Sequence, residues 1–291
     1  MTNLIKRLQP FVKWPGGKSK HWSRISSIIK EIKLDDATYY EPFVGGGSTF
    51  LAIKPKNAVI NDLNLELINT YEVIKNNPLE LIKRLDHHKT RFQEEYDHYY
   101  YQIRSLDRNS EYKNMADVDK AARLIFLNKT CFNGLYRVNK NGYFNTPIGN
   151  YSDPKLYDEK NIQDLSDYFR KSNIVFKSTD YKNVLIEAEK GDLIYLDPPY
   201  DYDDDKIFLN YGKTTFSKDD LRELSNISYD LLRKGCFVVI SNNYTSLVRE
   251  LFINNGDGEE PRFNFEILDV KRLLNSDVKK RSEPVKEILL Y

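Results

Sequence analysis

Cysteine is nearly missing from these 291 residues: Cys131 and Cys236 are the only two, far apart and in no C-x-x-C pair. That excludes a disulfide framework and a cysteine-based zinc site, and it suits a reducing compartment. Histidine is almost as sparse. His21, His87, His88 and His98 stand in no ligand spacing with acids or cysteines, so no metal is expected and helix or surface positions are. No apolar segment opens the chain between Met1 and Pro10, and no run approaches the length of a membrane span. The expectation is a soluble, cytoplasmic protein with no membrane partner. An excess of one charge is lacking too, at a formal +1 from 44 basic and 43 acidic residues. Repeats, low-complexity tracts and Gly/Ser linkers are also absent.

The charges that are present are unevenly spread. Between Met1 and Leu34 stand Lys6, Arg7, Lys13, Lys18, Lys20, Arg24, Lys30 and Lys33 against the single acid Glu31. Lys120, Arg123, Lys129, Arg137 and Lys140 occupy an acid-free stretch from Lys120 to Ser152, and six more basic residues lie between Lys271 and Lys286. Three such stretches could line one anionic groove, or be three solvated faces that never meet.

With 40% hydrophobic residues the chain has material for a buried core. Tyr39 to Val44 reads as a strand ending in Gly45-Gly46-Gly47, followed by a helix over Ser48 to Ile53 and a strand at Ala58 to Ile60. This is the start of a βαβ unit. The middle, Leu63 to Tyr168, is charged and helix-patterned, as over Glu66 to Leu85 and Asp117 to Lys129, with an aromatic, turn-rich segment from Cys131 to Tyr151. The end returns to α/β texture. Asp192 to Leu196 and Cys236 to Ile240 are apolar strands around a helix from Lys218 to Arg233, and Phe265 to Val270 and Val285 to Tyr291 are a closing antiparallel pair. The predicted fold class is α/β, a Rossmann-like sheet over residues 1–62 and 169–291, with a mainly helical insertion over 63–168.

Asp197-Pro198-Pro199-Tyr200 follows the strand ending at Leu196, where ligands bind in open α/β sheets. The prolines hold the backbone extended, so that carbonyls point outward as acceptors. An aryl amino group is a poor nucleophile because its lone pair is delocalised. A carboxylate and a carbonyl accepting its two hydrogens localise that pair for attack on a methyl sulfonium. An adjacent tyrosine offers a flat surface to a base that has left the duplex. The bland reading is a strand-terminating turn with an incidental aspartate.

Glu41-Pro42-Phe43-Val44-Gly45-Gly46-Gly47 gives a backbone that a ligand can approach closely, and Asp62 at the end of the next strand could bind ribose hydroxyls. A nicotinamide dinucleotide would suit the same arrangement, but Phe50 breaks the G-x-G-x-x-G spacing. Trp14-Pro15-Gly16-Gly17-Lys18 is not a phosphate loop, since Val12 stands where the first glycine is required.

In chain order, Trp14 to Lys18, Glu41 to Gly47, Asp62 and Asp197 to Tyr200 resemble the Dam-type DNA adenine methyltransferases, with cofactor motifs before the catalytic motif, as in the alpha group, and the DNA-recognition insertion between them. The resemblance implies S-adenosylmethionine as cofactor, with Trp14, Gly17, Lys18, Glu41, Phe43, Gly45, Gly47, Asp62 and Asp197 around it. It also implies that Asp180 and Tyr181 bind the cofactor adenine. Phe132-Asn133-Gly134-Leu135-Tyr136-Arg137-Val138-Asn139 and Phe144-Asn145-Thr146-Pro147-Ile148-Gly149 resemble the recognition hairpin of GATC-reading enzymes, here near 132–147. Arg137 can donate bidentately to a guanine edge, Leu135 and Pro147 can touch a thymine methyl, and Phe132 can fill the gap of a flipped base. Lys13 is placed by resemblance at the outer guanine, with Asn133 and Asn139 also on DNA. Double-stranded DNA is the expected partner, and a cognate restriction endonuclease as a separate protein is one the resemblance allows.

Two features depart from the pattern. Asn150 replaces an arginine usual after the glycine of the second segment. The run Asp201 to Asp205 is unusually acidic for a DNA-facing loop, and it reads as a solvated, mobile segment that could weaken non-specific phosphate attraction. A methyltransferase for RNA or a protein amide, a silent DNA-binding module and a nicotinamide-dependent oxidoreductase are the competing readings.

Overall fold

The apolar runs of the chain become the strands of one sheet, seen in a computed structural model that describes residues 8–14, 22–31, 37–203, 216–254, 263–271 and 284–291. Strands β1 (Tyr39–Glu41), β2 (Asn57–Asn61), β3 (Asn173–Lys177), β4 (Leu193–Leu196) and β5 (Phe237–Asn243) pair in parallel, and β6 (Phe265–Lys271) and β7 (Pro284–Leu290) form the antiparallel pair that closes the sheet. The order is β3-β2-β1-β4-β5-β7-β6. Its first five strands follow the doubly wound order, which reverses direction between β1 and β4; ligands bind outside the carboxyl ends of strands at such a switch point.

Both faces of the sheet are covered, as parallel strands require. Tyr39, Ile60, Tyr195 and Val239 face a cluster shared with α1 (Trp22–Glu31), α2 (Ser48–Ile53), α3 (Leu65–Asn76) and α6 (Glu159–Lys171). Helix α1 meets it with Ile25, Ile28 and Ile29, spaced for one helical face. Tyr40, Ile194, Leu196 and Ile240 face α7 (Tyr181–Leu185), α8 (Lys218–Lys234) and α9 (Ser246–Phe252) on the other side. A full capping box between Ser217 and Asp220 starts α8.

Between β2 and β3 run α3, α4 (Pro78–Ser105), α5 (Asp117–Thr130) and α6. Phe92, Tyr99, Tyr100, Phe126 and Phe144 form a further cluster within this segment, so Tyr99 and Tyr100 serve helix packing. The helix-patterned run from Glu66 to Leu85 is divided between two helices. Pro78 has no amide hydrogen to continue α3, and it serves at the first turn of α4 instead.

Three other expectations are revised. The segment 132–147 carries no regular strands: a 3-10 turn at Phe132–Gly134 leads into a loop crossed by single antiparallel bridges, Cys131 to Ile148 and Val138 to Phe144. Ser241, Asn242 and Asn243 do not follow β5 but belong to it, all buried. Arg123, counted among the basic stretch, is 1% exposed and pairs with Asp107 at 2.8 Å and Glu66 at 3.4 Å. His88, a helix position as expected, is packed rather than solvated, with its Nδ1 2.8 Å from the Tyr99 hydroxyl and its ring stacked on Phe126.

Candidate active site

Strands β1 and β4 lie side by side, so the glycine loop after Glu41 and the tetrapeptide after Leu196 emerge together at the switch point. The loop is fixed by its neighbours. The Val44 amide donates to the Asn61 carbonyl at 2.9 Å, and the Tyr71 hydroxyl donates to the Gly45 carbonyl at 3.0 Å. Gly45 has φ +49, and a Cβ there would lie 2.7 Å from Trp14 Cδ1. Only glycine lets the indole lie on this loop. Trp14 also stacks on Tyr136, at 5.3 Å between ring centroids.

The Asp62 carboxylate is engaged by backbone on both oxygens, from the amides of Gly45 at 3.0 Å and Asn64 at 2.9 Å. Burial pushes its pKa above the usual carboxylate range, against the pull of those two amides. Glu41 lies deeper, 2% exposed, and accepts a hydrogen bond from the Tyr39 hydroxyl at 2.6 Å. Burial raises its pKa to about 8, the Tyr39 bond opposes that, and the charge of Asp197 adds to it.

Phe43, Tyr181 and Phe216 form an aromatic group beside the loop, with centroids 5.3 Å apart for Phe43 and Tyr181 and 5.9 Å for Phe43 and Phe216. Asp180 is exposed and caps α7 through the Lys182 amide at 2.9 Å. Gly47 closes the loop, its amide bonding the Val44 carbonyl at 2.8 Å. Gly17 and Lys18, expected at the cofactor, lie outside the described residues.

At the end of β4, Pro198 is buried while Asp197, Pro199 and Tyr200 are partly exposed. Ser241 donates to Asp197 Oδ1 at 2.8 Å, and the Tyr200 hydroxyl donates to Glu287 at 3.4 Å. The acidic run that follows is tied down where it is described. The Asp201 amide donates to Asn242 Oδ1 at 3.0 Å, its carbonyl accepts from Asn243 at 2.6 Å, and its carboxylate accepts from Thr245 at 2.5 Å. Asp203 accepts from the Ser246 amide at 3.0 Å, at the start of α9. The expected solvated loop is therefore an anchored one through Asp203; Asp204 and Asp205 lie outside the described residues.

The segment after α5 presents a second surface. Phe132 is 54% exposed, and Asn133, at φ 56, Arg137 and Pro147 are exposed as well, with Leu135 half-buried. Arg137 Nε donates to Asn145 Oδ1 at 2.7 Å. Asn139 Oδ1 accepts the amides of Asn141 and Tyr143, each at 3.0 Å, which makes Asn139 the organiser of the loop tip. Lys13 reaches this surface from the N-terminal segment, its ammonium 4.8 Å above the Tyr151 ring.

Two residues that the sequence reading passed over hold these pieces together. Asn61 donates to the carbonyls of Pro42 and Thr179 at 3.0 and 3.1 Å and accepts from the Thr179 amide at 3.0 Å, joining the ends of β1, β2 and β3. Asn128, fully buried, accepts the Lys13 amide at 2.7 Å and donates to the carbonyls of Lys13 and Gly134 at 2.8 and 3.0 Å. Asn61 carried a signal, an amide directly before Asp62 at a strand end; Asn128 carried none, as a polar residue within an apolar helix. Among the described residues no group of three or more His, Cys, Asp or Glu could hold a metal ion, and no helix is long and apolar enough to cross a membrane.

A parallel sheet reversing between β1 and β4, with a glycine loop and an Asp-Pro-Pro-Tyr segment at the reversal, defines a Rossmann-like α/β methyltransferase class. The family model for D12 class N6 adenine-specific DNA methyltransferases matches residues 14–275, and the chain belongs to that family. It is similar to the type II methyltransferase M1.LlaDCHI of Lactococcus lactis subsp. cremoris, with 39% identity over 255 residues, 86% of this chain and 88% of that protein. It is similar also to the type II methyltransferase M.MjaIII of Methanocaldococcus jannaschii, 34% identical over 294 residues and covering 97% and 98% of the two chains. A DNA adenine methylase of Serratia marcescens is 30% identical over 254 residues, 85% of this chain and 88% of that one. The protein is thus an enzyme that transfers a methyl group to adenine in DNA.

Proposed function

We propose that the enzyme takes its methyl group from S-adenosylmethionine and places it on the exocyclic amino group of adenine within GATC in duplex DNA. The observation carrying this reading is the adjacency of the glycine loop and Asp197 at the ends of neighbouring parallel strands. The residues fit the donor. A backbone loop without a Cβ at Gly45, the half-buried Asp62 and the aromatic group around Tyr181 are suited to a nucleoside with ribose hydroxyls. Trp14, Gly17, Lys18, Glu41, Phe43, Gly45, Gly47, Asp62, Asp180, Tyr181 and Asp197 would surround it.

Once bound, the donor supplies an electrophilic methyl on sulfur. The protein's part is positioning. Asp197 and the Pro198 carbonyl accept the two amino hydrogens of adenine, which localises the nitrogen lone pair, and Tyr200 stacks on the extruded base. Residues 63–168 act as the target-recognition part. Lys13, Phe132, Asn133, Leu135, Arg137, Asn139 and Pro147 face DNA, with Arg137 leaving Asn145 to read a guanine edge. The partner is double-stranded DNA, and the type II names of two relatives suit a separate restriction endonuclease.

Incorporation of radiolabelled methyl from S-adenosylmethionine into GATC and scrambled duplexes tests this. Labelling confined to GATC supports donor, substrate and site together. Labelling of another adenine site removes the GATC assignment alone, and no labelling of any duplex removes the reading.

A further inference from the structure

The end of β5 is unusual in its chemistry. Ser241, Asn242, Asn243 and, two residues on, Thr245 are all at most 4% exposed, although burying polar side chains is costly unless they are hydrogen-bonded. All four bond one of two residues, Asp197 and Asp201, which bracket the Pro198-Pro199-Tyr200 stretch. Ser241 bonds Asp197 at its start; Asn242, Asn243 and Thr245 bond the amide, carbonyl and carboxylate of Asp201 just past its end. The strand thus grips the segment at both ends.

Behind Ser241 stands a second hydroxyl. Tyr195, fully buried in β4, has its oxygen 3.1 Å from Ser241 Oγ. A serine hydroxyl has one proton, and the Asp197 carboxylate can only accept, so that proton goes to Asp197 and Tyr195 must donate to Ser241. Burial first, and the charge of Asp197 next, hold the Tyr195 phenol well above its ordinary pKa, which keeps it a donor. The chain of donation runs from Tyr195 to Ser241 to Asp197 Oδ1. A two-step chain of this kind fixes the carboxylate's rotation about its own bond, which a single exposed aspartate could not hold.

We propose that Ser241 is a positioning residue for the Asp197 carboxylate, itself aligned by Tyr195, within a clamp that the polar end of β5 applies to both ends of the Asp197–Tyr200 segment. This rests on the reading of Asp197 as the group that accepts the adenine amino hydrogens. Ser241 touches neither donor nor base in this scheme; it sets the direction in which Asp197 presents its oxygens.

The test compares Ser241→Ala, Ser241→Thr, Tyr195→Phe and Asp197→Ala in the full chain, by single-turnover methyl transfer, cofactor and DNA affinity, and thermal midpoint. Ser241→Ala should slow methyl transfer by about tenfold or more, with both affinities within about twofold of wild type, because orientation and not binding is lost. Ser241→Thr, which keeps the hydroxyl, should restore most of the rate, and Tyr195→Phe should show a smaller loss of the same kind. Wild-type rates in Ser241→Ala and Tyr195→Phe overturn the proposal, as does a loss in which affinities fall together with rate. If Ser241→Ala does not fold, Tyr195→Phe carries the test alone: a slower rate at unchanged affinity supports it and an unchanged rate overturns it. Asp197→Ala separates the two readings. If it still turns over, the assignment of Asp197 fails; if it is dead while Ser241→Ala is normal, only the clamp fails.

Discussion

Asp197 is held, not merely displayed: it follows a fully buried strand, precedes two prolines and accepts from a buried serine. Asp197→Ala should abolish methyl incorporation while leaving most DNA affinity, measured by filter binding beside turnover; substantial residual turnover would remove it from the mechanism. Arg137→Ala should relax preference at one base pair by about 1–3 kcal/mol of discrimination, read from rates on singly substituted duplexes. Glu41 gives a prediction in pH. Its folded pKa of about 8 lies above its ordinary 4.5, so the folded chain keeps a proton that the unfolded chain has released. The group's contribution to stability therefore falls as pH rises from the lower value to the higher. The melting temperature of Glu41→Gln should gain on wild type between about pH 6 and about pH 8.5, and a constant difference would show that Glu41 does not titrate there. At this scale Asp197, Gly45 and Asp62 were legible because each belongs to a short motif at a strand end. The partners of Asn61 and Asn128 were not, because the groups they join are 118 and 115 residues away in sequence.

Elements show what a charge count hides. The stretch from Lys120 to Ser152 reads as acid-free and basic, yet Arg123 points inward, where it donates to the carbonyls of Ile103 and Arg104 and pairs with Asp107. Asp107 in turn accepts the Phe144 amide at 2.7 Å, so the buried pair pins the loop of Arg137 to the end of α4. Arg123→Ala should cost about 3–5 kcal/mol in denaturant unfolding, since it takes a buried guanidinium from Asp107 and from the Ile103 and Arg104 carbonyls, leaving Asp107 only Arg108 and the Phe144 amide among the described residues. A loss below about 1 kcal/mol would mean that water reaches Asp107. The acidic run teaches the same lesson. Exchanging Asp201 and Asp203 for asparagine would disturb the anchors to Thr245 and the start of α9, so a change in DNA affinity could not be read as charge alone. Aspartates in a row look solvated in a sequence; which of them meets a hydroxyl depends on the start of a helix over forty residues further on.

Most of the sheet was legible in outline, since most of its strands are apolar runs bounded by turn residues, and the antiparallel closing pair was anticipated. Its order was not, because strand order is set by crossovers whose handedness and length no local pattern records. That order has a consequence in time. Strands β2 and β3 are paired in register from Asn57 with Asn173 to Asn61 with Lys177, yet residues 62–172 separate them. Closing so long a loop before any pairing is rewarded is entropically slow, whereas helices α3 to α6 meet neighbours close in sequence. Refolding followed by pulsed hydrogen exchange should thus protect α4 and α5 before the β2 and β3 amides; simultaneous protection would refute the order. On that schedule the part proposed to meet DNA takes shape first, and it draws together the two strands whose tips would shape the proposed pocket of the methyl donor.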